Sequence, residues 1–130
     1  SMDEYRPKLQ HILHSYFIEH DVAAMIYPTV PFTAPELLND TPDDQAAVVI
    51  NGKQIKRGFS GSINNTIHQS ASGIPSMVVP AGLTNDGLPV GLGFDGPLGS
   101  DRQLLAIGQA FEQVRGEFPL ARHSGDQFLL

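Results

Sequence analysis

There is no cysteine anywhere in the 130 residues. That removes disulfides, thiolate nucleophiles and thiolate metal ligands together. Basic residues are scarce: 8 Lys and Arg stand against 14 Asp and Glu, for a net charge of -6. So acidic a chain has no basic patch to neutralise phosphates, which argues against nucleic acid as a partner. The same balance argues against docking on an anionic membrane surface. No apolar run approaches the roughly 18 residues that a membrane-spanning helix needs. The first residues, SMDEYRPK, contain no apolar stretch and so do not form a signal peptide. A cytoplasmic location is expected. Ser1-Met2 reads as a tag-cleavage scar.

What is present is a hydrophobic fraction of 41%, ordinary for a folded domain and too high for a disordered chain. The length suits one domain, which buries roughly two-thirds of the surface its unfolded chain exposes. Residues 1-130 therefore read as a single domain, with 117-130 as a tail. Glycine and proline number 13 and 10, and they crowd between Gly73 and Gly99. Such a stretch implies tight turns and backbone packed close to a neighbour.

The spacing of Leu9, Ile12, Leu13, Tyr16 and Phe17 predicts a helix with one apolar stripe, capped by Asp3 and ended at His20-Asp21. The continuous apolar run Val22-Tyr27, stopped by Pro28, predicts a buried strand. Residues 35-44 read as loop. Val48-Lys56 predicts a hairpin, because Asn51-Gly52 supplies the two positive-φ positions of a type I′ turn. A polar helical pattern runs from Phe59 to Ala71 and closes at Gly73. Strands follow at Ser76-Pro80 and Pro89-Asp95, joined by a turn at Asn85-Asp86-Gly87. Gly91 and Gly93 share one face of the second strand, which suggests another backbone or a helix packed against them. Asp101 then caps a helix whose face is Leu104, Leu105, Gly108, Phe111 and Val114, with Gly116 as its stop. Strands interleaved with helices predict an α/β or α+β fold with a mixed sheet.

No complete catalytic constellation emerges from spacing alone. Gly58-Phe59-Ser60-Gly61-Ser62 approaches a nucleophile elbow but ends in Ser62 where that turn needs Gly. His11 and His14 share a helical face, yet no third metal ligand accompanies them, so both read as solvated. Gly91-x-Gly93-x-x-Gly96 has dinucleotide-loop spacing but falls inside a strand and meets Pro97, not a helix. Asp43-Asp44 sits in a loop, where adjacent acids face water. His68 lies near Asn65 and Gln69 on the polar helix and could face a cleft; His20 and His123 read as surface. No cofactor is implied.

The Gly/Pro-rich half carries a more specific signal. Ser72-Gly-Ile-Pro-Ser-Met-Val-Val-Pro-Ala-Gly-Leu-Thr84, then Asp86-Gly-Leu-Pro-Val-Gly-Leu92, then the helix from Asp101 to Glu112, resembles the C-terminal region of amidase signature family hydrolases. Tyr27-Pro-Thr-Val-Pro31 resembles a further segment of that family. Asn51-Gly52 and Asn65-Thr66 look most like its branch acting on aryl-acetamide or mandelamide-type substrates. The resemblance spans about Tyr5 to Arg115. It implies an α/β fold, a mixed β-sheet with flanking helices, like the C-terminal part of the amidase signature fold.

Members of that family hydrolyse amides with a Ser–cis-Ser–Lys triad, the serine attacking while backbone N–H groups stabilise the oxyanion. This sequence has no G-G-S-S-G-G-like segment, and its lysines, Lys8, Lys53 and Lys56, match no triad position. No catalytic residue is carried over. By resemblance the chain completes the sheet and lines one side of the acyl pocket, with Thr29, Pro31, Asn65, Thr66 and His68 as candidate substrate-binding residues. Two readings follow. One is a C-terminal fragment or truncated relative of an amide hydrolase, inactive alone. The other is a stand-alone module binding a small aryl or acyl amide ligand or a protein. Incomplete cover on Val78-Val79 and on Val90, Leu92 and Phe94 leads to an expected homo-oligomer, or to a partner supplying a missing N-terminal segment.

Overall fold

A computed structural model describes residues 2–34, 47–56 and 61–118. Its elements run α1 (Met2–Glu19), β1 (Met25–Pro28), β2 (Ala47–Ile50), β3 (Lys53–Lys56), a short 3-10 turn (Asn64–Thr66), α2 (Ile67–Ser72), β4 (Ser76–Leu83), β5 (Pro89–Asp95) and α3 (Asp101–Arg115). That order of helices and strands is the expected one, but the polar helix expected over Phe59–Ala71 is interrupted: Asn64–Thr66 form the 3-10 turn and the α-helix runs only over Ile67–Ser72. Strands β1, β5 and β4 form a sheet in that order, and β2 pairs with β3. Every pairing among the described residues is antiparallel.

Helix α1 begins one residue earlier than its expected cap, so Asp3 and Glu4 lie in the first turn, where their charge favours the dipole's positive end. Its last turn closes as a Schellman motif. Val22 N–H donates to Phe17 O and Asp21 N–H to Ile18 O, with Asp21 in the left-handed region at φ 49°. The apolar stripe is narrower than its spacing suggests: Phe17 is buried, whereas Ile12 and Tyr16 are exposed. What docks α1 is partly polar. Arg6 Nε–H donates to Ala71 O at 3.0 Å and Gln10 Nε2–H to Ser72 O at 2.7 Å. Two carbonyls at the end of α2 that lack intrahelical partners are satisfied this way. Gly73, at φ 77°, then ends α2 and donates its N–H to Gln69 O.

The run Val22–Tyr27 is not a doubly buried strand. Only its end joins β1, an edge strand in which half-buried and exposed side chains alternate, and Ile26 remains 60% exposed. An antiparallel edge strand needs cover on one face only. The Asn51-Gly52 turn forms as expected, at φ 51° and 76°. Strand β4 continues past Pro80 through a bulge at Pro80–Gly82.

One sheet face packs on α3. Val79, Phe94 and Leu104 form the core there, with Ala24, Met77, Leu92, Ile107 and Phe111 half-buried around them. The Phe94 and Phe111 rings meet edge to face at 5.6 Å. Leu92 and Phe94 are thus covered within the chain, while Val78 points away and is exposed. Leu105 and Val114, expected on the buried face of α3, are exposed instead. Ile107 takes their place, because the helix contacts the sheet through 104, 107, 108 and 111. Asp101 is the first residue of α3, and Ser100 holds the cap position.

Candidate functional site

The opposite sheet face carries Tyr27, Thr29 and Asp95 beside the apolar Met25 and Val78, and it is built by strand alternation. Tyr27 lies directly across from Gly93, and Met25 and Ser76 lie across from Asp95. One position further along, Thr29 N–H donates to Gly91 O. The glycines leave room for side chains of the neighbouring strand, not for a backbone or helix. A Cβ on Gly93 would stand 2.6 Å from the Tyr27 ring, and one on Gly91 would stand 2.8 Å from Thr29 Oγ1. Real Cβ atoms do not approach that closely, so a side chain at either position would force Tyr27 or Thr29 to shift.

The Tyr27 ring therefore reaches Asp95. Its hydroxyl donates to Asp95 Oδ1 at 2.7 Å, and His68 Nε2–H donates to Asp95 Oδ2 at 2.5 Å. Gln69 Nε2–H donates in turn to Tyr27 Oη at 2.9 Å. Asp95 is fully buried, and each carboxylate oxygen has a partner. A buried charge persists only when paired and hydrogen-bonded in this manner. The Tyr27 and His68 rings meet edge to face at 5.7 Å. Burial, reinforced by the Asp95 carboxylate, pushes the Tyr27 hydroxyl up to about 12, so at neutral pH it stays a proton donor.

A shallow groove opens beside this cluster at the C-terminal end of β1. Pro28, Val30, Pro31, Phe32, Thr33, Pro89, Val90 and Gly91 line it, around a volume of about 210 Å³. Pockets that engulf a drug-sized ligand hold roughly 300–1,000 Å³. This one is smaller, and its walls are mostly apolar.

The five expected site residues separate into two groups. Pro31 lines the groove, Thr29 lies beside it against Gly91 with its Oγ1 buried and unpartnered, and Asn65 Nδ2–H donates to Pro28 O at 2.8 Å. These three converge on one strand end. Thr66 turns back to donate to Ile63 O, and His68 is committed to Asp95. Sequence reasoning missed Tyr27, Gln69 and Asp95. The available signal was an acid at the end of an otherwise apolar strand, on the face it shares with Gly91 and Gly93.

The other motifs do not gather here. His11 and His14 lie exposed on α1 at the rim of a separate groove with Phe17, Ile74, Pro97 and Leu98. Among the described residues no three His, Asp or Glu side chains could hold a metal ion. Gly58, Phe59, Ser60, Asp43 and Asp44 lie outside the described residues.

A family model described as Amidase matches residues 1–105. The chain is 38% identical over 110 residues to an indoleacetamide hydrolase of Agrobacterium vitis, across 85% of this chain and 22% of that protein. It is 35% identical over 126 residues to a mandelamide hydrolase of Pseudomonas putida, across 96% of this chain and 22% of that protein. Among solved structures, a bacterial aryl acylamidase of the amidase signature family superposes with a TM-score of 0.64 at 25% identity, covering 88% of this chain and 24% of that one. The chain thus spans about a fifth of the length of these two curated relatives.

Proposed function

This chain belongs to the amidase family, and from that premise we propose that it forms the pocket-side part of an amide hydrolase whose nucleophile lies outside these 130 residues. On this reading the groove receives the aryl or acyl portion of an amide. Pro31 contacts it, Thr29 lies beneath it and Asn65 braces its Pro28 wall, while Thr66 and His68 act from behind. The carrying observation is a family match over most of a sequence that has no Gly/Ser-rich triad segment. Lys8 is a surface residue paired with Glu4 at 3.0 Å, which supports the reading that it is no triad lysine. The size of the groove supports the same view, since it suits one wall of a larger pocket.

The relatives' names, indoleacetamide and mandelamide hydrolase, make small aryl amides the ligands to test. The purified chain, offered either amide, is expected to release no ammonia above buffer. Sustained hydrolysis by the chain alone would overturn the proposal. A second reading is a stand-alone binding module, favoured by the apolar walls of the groove. Binding of either amide without hydrolysis is what that reading expects of the same sample. A cytoplasmic location belongs to the proposal. Self-association belongs to it as well, and is taken up below.

A further inference from the structure

We propose that Tyr27, Asp95 and His68 act together as positioning residues, clamping the 65–69 segment onto β1 and β5 so that the Pro28–Thr33 wall of the groove is held in its binding geometry. The proposal rests on the reading of the groove given above.

The clamp has several ties within five residues of chain. Asn65 holds the Pro28 carbonyl, His68 holds one oxygen of Asp95, and Gln69 holds the Tyr27 hydroxyl, which itself holds the other oxygen of Asp95. The segment joins a 3-10 turn to the start of a helix of only six residues, too short to be stable by itself. Its placement must come from such tertiary contacts. Tyr27 and Thr29 point to the same sheet face about 7 Å apart along β1. A change in the Tyr27 ring therefore reaches the groove through one strand repeat and through Asn65. The carboxylate is sealed from water and both its oxygens are engaged, so Asp95 cannot itself meet a ligand.

Two variants separate positioning from loss of fold. Tyr27→Phe keeps the ring over Gly93 and removes only the hydroxyl. Asp95→Asn keeps an acceptor oxygen for Tyr27, and its amide can donate to the other His68 tautomer. Amide NMR spectra of the free protein and titration with phenylacetamide supply the readouts. In Tyr27→Phe the Thr29, Val30 and Gly91 signals are expected to move, and phenylacetamide affinity to fall about fivefold, the loss of one hydrogen bond in a partly buried site. Asp95→Asn is expected to restore both to near wild type. Groove signals unchanged in Tyr27→Phe would overturn the clamp, as would an Asp95→Asn variant that binds as weakly as Tyr27→Phe. If wild type fails to bind phenylacetamide, the groove reading falls instead. The free-protein spectra then still decide whether the clamp positions the wall.

Discussion

Gly93 has little of its own to pack, yet the Tyr27 ring occupies the space its side chain would take. Gly93→Ala is expected to destabilise the fold by about 1–3 kcal/mol, the usual range for overpacking, as read by urea denaturation. An unchanged midpoint would show that the ring can shift without loss. The glycine alternation was visible in the sequence. Its meaning was not, because the partner is a side chain 66 positions away (residue 27 opposite residue 93). Asp95 was hidden for a similar reason. Its partners Tyr27 and His68 lie 68 and 27 residues away along the chain, and no local spacing encodes such a meeting. His68 could be singled out from its polar helix, but only its contact with Asp95 shows that it supports other residues. Arg6 and Gln10 lie off the apolar stripe of α1, where the pattern gives them no role, yet they bind the end of α2.

Among the elements, α3 separates what periodicity can and cannot decide. Leu104 and Leu105 are adjacent and chemically identical, so an apolar pattern admits both. The sheet receives only Leu104, which is 3% exposed, while Leu105 is 63% exposed. Leu104→Ala is expected to cost about 2–5 kcal/mol. Leu105→Ala is expected to stay within about 0.5 kcal/mol of wild type. Thermal melts of the two variants check this, and equal losses would place the buried face of α3 elsewhere. The β2–β3 hairpin is the opposite case. Its turn requires positive φ at two successive residues, and Asn51-Gly52 meets that demand locally. The bulge in β4 belongs with α3: Pro80 hinted at an interruption, but pairing with β5 sets where the register shifts. Arg115 reaches across to donate to Pro80 O, tying the end of α3 to that irregularity.

Across the whole molecule, cover is uneven. Five hydrophobic side chains are buried among the described residues, against fifteen large ones that are exposed, including Ile12, Ile26, Val78 and Leu83. Surfaces of this kind are normally closed by association. The isolated chain is expected to self-associate, with a light-scattering mass that rises above 14.1 kDa as concentration increases. A mass constant at that value up to high concentration would show that the exposed side chains are too scattered to drive contact. No described helix is long and apolar enough to cross a membrane. By itself the sequence determined the order of helices and strands, the hairpin and the family, since periodicity, turn chemistry and the Gly/Pro string are local properties of the chain. Tertiary structure decided which apolar residues are buried, why Gly91 and Gly93 are glycines, and that Tyr27, His68 and Asp95 meet. Those outcomes depend on which strand lies beside which, and strand pairing joins residues whose separation along the chain leaves no periodic mark.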